Sequence, residues 1–465
     1  MTVPPWVQDA IFYQIFPDRF ANGDPANDPV NVEPWGSPPT RRNYQGGDLR
    51  GVIQKLDYLL DLGVNAIYLN PIFHSTANHR YHTIDYYRID PFLGTMEDFR
   101  ALLDATHAAG VRVVLDGVFN HSGRGFFAFS NVLENEECSP YKDWYHIHHY
   151  PVDAFSQAKS NDYEAWWRLK GLPKFNTDNP QVRAYLMDVA RYWVEQGIDG
   201  WRLDVPDEID DDSFWAEFRH TVKNANPDAY LVGEIWKADP RWVGEGHFDG
   251  LMNYPLREAI LDLLAEDGSL TEFAQQVEKL LSVYPRPNLY AMYLPLGSHD
   301  TERLSTALEG DLAKIKLALA FQFAFPGAPA VYYGDEVGIE GGEDPDNRQA
   351  FPWDEGEWNH ELRAWVQHLI ATRKATPALR RGDFQRLALD AETGCYVFSR
   401  TLGGESLLVV ANCRAEAQQV NLPVADLNWE DGRVLNDLLG SGHYPVSEGL
   451  VSLAIPPWGV SWLAA

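Results

Sequence analysis

The chain has 465 residues, with 38 Lys and Arg against 67 Asp and Glu, for a net charge of −29. That length exceeds one ordinary core and fits a barrel of about 250 residues with insertions and a smaller domain. The charge argues against nucleic acid and anionic membrane surfaces as partners, and a hydrophobic fraction of 45% is that of a globular protein.

In chain order, residues 11–15 read as a first strand, followed by a loop rich in Asn, Asp, Gly and Pro over 22–42. Asp48 is placed to cap a helix running to 62, with Val52, Leu56, Leu59 and Leu60 at helical spacing. Residues 65–69 form the second strand, 97–109 a helix closed by Gly110, and 111–115 the third strand. Periodicity is then lost between 120 and 175, an aromatic and His-rich stretch that reads as an insert walling a cleft. Alternation resumes with helix 182–196, strand 198–203, helix 213–224, strand 230–232, strand 248–252, a helical region 256–283, strand 290–296, helix 312–324, strand 330–332 and helix 361–373. Eight strands alternating with helices predict an α/β fold, a parallel (β/α)8 TIM barrel. Beyond 376 the runs are β-rich and separated by turns, which predicts an antiparallel domain. The expected division is a barrel over 1–120 and 176–376, an insert over 121–175 after the third strand, and a carboxy-terminal β-sandwich over 377–465.

Met1 to Trp6 lacks the basic and apolar regions of a signal peptide. The longest apolar region, 315–333, is broken by Lys316, Gln322, Pro326 and Pro329 and reads as buried helix and strand, not a membrane span. Cys138, Cys395 and Cys413 have no metal-binding spacing. A reduced, cytoplasmic protein is the simplest expectation, a secreted form with its leader removed the alternative.

Four short stretches carry chemistry: Asp116 to His121, Gly200 to Asp204, Gly233 to Trp236 and Ser298 to Asp300. Each sits at the end of an apolar run, and in a parallel barrel such ends converge on one face. Asp204, Glu234 and Asp300 would then share one acidic pocket. Retaining glycosidases need a carboxylate nucleophile and a carboxylic acid donor about 5–5.5 Å apart, and neighbouring negative charge helps the donor keep its proton. Arg202, two residues before Asp204, points to the same side of its strand and would hold it ionised. The alternatives are helix caps for the acids and a barrel-filling ion pair for Arg202. His121 and His299 can donate to sugar hydroxyls, and Tyr81 and Trp236 offer faces to a glucose ring, with core packing as the alternative. Asn22, Asp24, Asn27 and Asp28, with a carbonyl from Gly46 and a carboxylate from Asp48, suit Ca²⁺. A solvated Asx-turn loop explains the same residues.

Taken together and in this order, the four stretches resemble those of the α-amylase family, family 13 of the glycoside hydrolases. The resemblance runs from about residue 10 to 375, and the β domain fits the family's carboxy-terminal domain. It implies retention of the α configuration, with Asp204 as nucleophile, Glu234 as acid/base and Asp300 as transition-state stabiliser. It places Tyr81, His121, Arg202 and His299 around the reacting sugar, with Asp116 a structural acid there. Leu172 to Asn176 looks like the Met-Pro-Lys-Leu-Asn stretch of neopullulanases, cyclomaltodextrinases and maltogenic amylases. Glu208 matches that subfamily's Val-Ala-Asn-Glu motif, the acidic loop from Asn22 its calcium site, and Asp344 and Arg348 residues lining its donor subsites. The barrel begins almost at once, without the subfamily's amino-terminal β domain, so dimerisation through that domain is not expected. Pro206-Asp207 replaces a small-residue-Asn pair, and His82 stands where the family often has Asp. The expected activity is hydrolysis of α-1,4, and potentially α-1,6, bonds in maltooligosaccharides, cyclodextrins, pullulan or starch, with transglycosylation when a sugar replaces water. An exo-acting α-glucosidase, a family sugar isomerase or transferase, and a non-catalytic sugar-binding protein are the rival readings.

Overall fold

The computed structural model describes residues 3–427 and 429–465. Its first sheet has eight parallel strands: Phe12–Ile15, Ala66–Leu69, Arg112–Gly117, Gly200–Leu203, Tyr230–Gly233, Gly250–Leu251, Tyr293–Pro295 and Ala328–Tyr332. The first strand pairs with the second and the eighth, and a parallel bridge between Met252 and Tyr293 closes the ring. The expected TIM barrel is therefore present. One layer of its interior is apolar, filled by side chains such as Phe12, Tyr68, Val114, Val232, Met252 and Tyr293. Towards the strand C-terminal ends the inward positions turn polar: Gln14, Asp116 and Arg202 follow Phe12, Val114 and Gly200 two residues along their strands.

Helices pack outside, and their boundaries follow local chemistry. Met96–Ala108 begins with a capping box in which Thr95 and Asp98 satisfy each other's backbone N–H. The helix expected to run from Asp48 to 62 is two helices, Leu49–Gln54 and Leu56–Leu62, broken at Lys55. A Cβ at Gly51 would lie 1.9 Å from the Ala21 carbonyl oxygen, so only glycine lets the first of these lie against the loop. The helical region over 256–283 is likewise two helices, Tyr254–Leu264 and Leu270–Val283. Among the elements that escaped the sequence reading, three lie near the site. Phe73–Ser75 and Thr83–Ile89 form a hairpin after the second strand, and Phe127–Asn135 is a helix inside the insert.

The carboxy-terminal segment is one antiparallel eight-stranded sheet that begins with Asp383–Asp390, Cys395–Leu402 and Glu405–Asn412. The expected sandwich takes the form of this single sheet curled on itself. Val397, Leu408 and Val410 belong to one core with Val420, Leu422 and Leu453, while Tyr396, Phe398 and Val409 join the barrel's core. Two fully buried arginines stitch the seam. Arg373 donates to the carbonyls of Phe323, Gly327 and Leu379, and Arg400 to those of Ala324 and Gly382. Among the described residues no helix is long and apolar enough to cross a membrane.

Candidate active site

Arg202 organises the acidic face of the barrel. Its Nη1 donates to Asp116 Oδ1 and Asp204 Oδ1, both at 2.9 Å, and its Nη2 lies 2.9 Å from Glu234 Oε2. The last contact is an ion pair outside hydrogen-bonding alignment. Strand register makes this possible: Asp116 pairs with Arg202 across neighbouring strands, and Leu203 pairs with Gly233, the residue before Glu234. Asp116 is itself held by the hydroxyls of Tyr68 at 2.5 Å and Tyr81 at 2.8 Å. Glu234 accepts from the Val205 N–H at 2.9 Å through Oε2, and from Trp236 Nε1 at 3.2 Å through Oε1. Trp236 stacks on Tyr254 with ring centroids 3.9 Å apart.

Asp300 joins this group from the seventh strand. His299 Nε2 is 3.1 Å from its Oδ2, and Arg348 Nη2 is 3.6 Å from its Oδ1. Arg348 also pairs with Asp344 at 2.9 Å and donates to the His299 carbonyl. Gln14 Nε2 lies 2.9 Å from His299 Nδ1. With Nδ1 accepting, the ring hydrogen sits on Nε2, between Asp300 and the Tyr81 hydroxyl at 2.5 Å. His121 is buried against Trp166, and its Nε2 has no hydrogen-bond partner. Asp116, Asp204, Glu234, Asp300, Arg202, Tyr81, His299, Trp236, Arg348 and Asp344 thus form one connected site, whereas the His121 ring bonds to Asn120 and stacks on Trp166. Glu208 stands apart from it. It lies on the turn Pro206–Glu208, where Lys174 Nζ reaches its carbonyl at 2.7 Å and its carboxylate at 3.4 Å. The substituted His82 packs against Gly171 and His79, and burial and Arg124 lower its pKa to about 4.

Burial pushes Asp116, Asp204, Glu234 and Asp300 all above the usual carboxylate range. Glu234 reaches about 7, with the charges of Asp300 and Asp116 adding to burial and Arg202 opposing it. Asp116, Asp204 and Glu234 surround one guanidinium, Asp300 lies against Arg348 and His299, and the four acids titrate as a set. His121 is driven down to about 3 and His299 well below its usual range, chiefly by burial, so both rings are neutral.

Gln14, Tyr68 and Asn70 were not among the expected site residues. Asn70 bridges Gln14 and the Tyr81 hydroxyl, so these three support the rings that face the acids. Their signal was available: Gln14 is the polar residue of the first strand, and Asn70 directly follows the second.

The calcium loop is only partly assembled from the expected residues. Asn22 donates to Asp28 at 2.8 Å, and Asn27 to Asp48 at 3.2 Å, leaving the buried Oδ1 atoms of both asparagines without partners. A Cβ at Gly46 would meet Asp28 Oδ1 at 2.4 Å, so its backbone crosses this cradle closely. Asp48 accepts from Gly23, Asp24 and Gly51 N–H as well as Asn27, and Asp24 turns to Ala26 and Arg50. Orphaned amide oxygens beside Asp28 and Asp48 fit a hard cation, which would reverse both amides.

The sequence matches the model of the α-amylase catalytic domain over residues 14–374 and that of the maltogenic amylase C-terminal domain over 386–462. The chain belongs to the α-amylase family. It is a glycoside hydrolase with the family's barrel and β domain. It is 45% identical to a cyclomaltodextrinase of Geobacillus thermopakistaniensis over 98% of its own length and 77% of that protein's. Among the solved structures that match over 100% of both chains are two of named activity. They are the cyclic α-maltosyl-(1→6)-maltose hydrolase of Arthrobacter globiformis, in complex with that sugar (TM-score 0.91, 42% identity), and the Nostoc punctiforme debranching enzyme (TM-score 0.91, 42% identity).

Proposed function

We propose that this α-amylase family member hydrolyses α-1,4 and α-1,6 glucosidic bonds of short, cyclic or branched maltooligosaccharides with retention of configuration. The observation that carries the reading is the pair Asp204 and Glu234, each 2.9 Å from a terminal nitrogen of one buried guanidinium. Two acids so bridged are close neighbours, as a retaining pair at about 5–5.5 Å must be. Arg202 donates an aligned hydrogen bond to Asp204 but only faces Glu234. The negative charge therefore rests on Asp204 and the proton on Glu234. Glu234 protonates the glycosidic oxygen while Asp204 attacks the anomeric carbon, forming a β-glycosyl ester as the leaving sugar departs. Glu234, now ionised, takes a proton from water, whose oxygen displaces Asp204 and restores the α configuration. Asp300, with His299, Tyr81 and His121, binds hydroxyls of the distorted sugar, and Arg348 with Asp344 limits the cleft beyond it. An α-1,6 component is favoured because both full-length structural relatives act, by name, on branched or 1,6-linked sugars.

A structural Ca²⁺ belongs to the same proposal, held by Asn22, Asn27, Asp28, Gly46 and the Asp48 region. It would supply positive charge that lets the loop keep its acids ionised. Cytoplasmic residence is supported by three free cysteines. The test is product analysis by chromatography with maltotriose, β-cyclodextrin, pullulan and soluble starch, beside Glu234→Gln. Cleavage of the cyclic sugar or pullulan that is lost in the variant supports the reading. Glucose released only from short linear chains moves the protein to the α-glucosidases, and rearrangement of maltose without hydrolysis makes it an isomerase.

A further inference from the structure

A directional hydrogen-bond chain starts at Asp116 and ends on His299. Asp116 Oδ1 receives Arg202, and Oδ2 receives the hydroxyls of Tyr68 and Tyr81, so both oxygens act as acceptors. Each hydroxyl has one hydrogen, and that hydrogen goes to Asp116. To its other neighbours the Tyr81 oxygen offers only lone pairs. Asn70 Nδ2 meets that oxygen at 3.1 Å and the Tyr68 oxygen at 3.4 Å, as only the NH2 side of its amide can. The carbonyl side of Asn70 is thereby turned to Gln14, whose Nε2 lies 3.0 Å away. Strand register brings the two amides together: Gln14 pairs with Tyr68, and Asn70 follows two residues later on the same face. The second hydrogen of Gln14 Nε2 points at His299 Nδ1, 2.9 Å away. His299 accepts there, which leaves its own hydrogen on Nε2, 2.5 Å from the Tyr81 oxygen and 3.1 Å from Asp300 Oδ2. The chain so closes on Tyr81, with one direction at every step. Gln14 Oε1 is left buried without a partner. Such an orphan costs free energy. Turning the amide over would partner Oε1 only if His299 carried its hydrogen on Nδ1, and would set Oε1 against Asn70 Oδ1. Turning Asn70 as well would set its oxygen against two hydroxyl oxygens already committed to Asp116.

We propose that Gln14 and Asn70 are positioning residues that carry the direction set by Asp116 to His299 and lock its ring as the Nε2–H tautomer. A donor, not a lone pair, then stands beside Asp300. A lone pair in that place would repel the Asp300 carboxylate and could not donate to a hydroxyl of the reacting sugar. The orphaned Gln14 oxygen is the cost of keeping both hydrogens of its amide on this duty. The inference rests on the glucan-hydrolase reading for why the donor matters, and its first readout needs no turnover.

The experiment is ¹⁵N NMR of the full chain labelled in its histidines, at pH 7, with the His299 signals identified by their loss in His299→Gln. The wild type shows a neutral ring with its hydrogen on Nε2. Gln14→Glu, of the same shape, offers Nδ1 an acceptor, and the hydrogen moves there or the ring becomes charged. Gln14→Met removes the donor without adding charge and yields a mixture of tautomers, which keeps the test open if the first variant fails to fold. In kinetics each variant lowers kcat/KM for maltotriose about 10–100-fold, chiefly through kcat, as expected when one hydrogen bond to a charged group is lost. A wild-type ring with its hydrogen on Nδ1, or an Nε2–H signal unchanged in the variants, would overturn the proposal. If the wild-type chain turned over no glucan, the hydrolase reading would fall, and the tautomer signals alone would decide for or against the amide relay.

Discussion

Glu234→Gln separates the two chemical duties assigned to this carboxyl. The wild-type group has its pKa raised to about 7, mainly by burial, so its protonated form is lost as pH rises through neutrality. For a reaction that needs the acid form, kcat/KM then falls roughly tenfold per pH unit above that value. The variant keeps the shape but has no proton to give. Its amide nitrogen turns to the Trp236 side, giving up the hydrogen bond from the indole N–H, because the Val205 N–H and Arg202 both require an oxygen on the other side. Loss of general acid catalysis lowers kcat/KM on maltooligosaccharides about 10²–10⁴-fold, equivalent to roughly 3–5.5 kcal/mol. An aryl α-maltoside whose phenol leaves without protonation bypasses the first duty. With it the loss shrinks in the glycosylation step, a burst of phenol appears, and the glycosyl enzyme accumulates because the base for water is also gone. Stopped-flow phenol release and pH profiles from 5 to 9 read both effects. An alkaline limb that survives in the variant, or equal losses with both substrates, would refute the assignment of the proton to Glu234.

Trp193→Ala removes a fully buried indole that stacks on Phe73 at 4.7 Å and donates to the Tyr86 carbonyl. It should cost about 3–5 kcal/mol, seen as a lowered midpoint of thermal unfolding. Calcium at a hundred times its dissociation constant should add about 2.7 kcal/mol of stability. A chelator should remove that gain, and Gly46→Ala should abolish it, since its Cβ would meet Asp28 at 2.4 Å from a backbone of φ +84°. Arg400→Met leaves the Ala324 carbonyl without its donor in the interior, while the Gly382 carbonyl keeps the Tyr290 hydroxyl. About 1–3 kcal/mol per stranded group is expected, read by faster proteolysis between barrel and sheet.

The barrel was legible because its strands are short apolar runs bounded by charged or glycine residues, and Asp116, Asp204 and Glu234 each directly follow one, with Asp300 four residues beyond Leu296. Arg202 and Asp204 shared a face by simple alternation. What alternation could not show was the turn after Asp204. Val205 takes left-handed backbone, with φ 36°, so Glu208, three residues on, is carried away from the acids and onto Lys174. The hairpin of Phe73–Ser75 and Thr83–Ile89 was missed because its burial mixes along both strands. The helix Phe127–Asn135 was missed because it opens on three consecutive apolar residues, Phe127, Ala128 and Phe129, which blur the 3.6-residue period. Of the loop expected to bind calcium, the composition and the Asp48 helix cap were readable, but not that Asp24 turns its carboxylate to the Ala26 N–H.

The seam between barrel and sheet has a consequence for descent. Arg373 and Arg400 donate to main-chain oxygens, which every amino acid carries, whereas a side-chain ion pair would tie two positions to each other. The two guanidinium groups therefore tie no particular side chain at 323–327 or 379–382, where the buried Phe323, Phe325 and Leu379 and the left-handed Gly327 set the remaining limits. Related barrels and β domains should recombine near residue 376 into working chimaeras when Tyr396, Phe398 and Val409, which join the barrel's core, find the same apolar partners there.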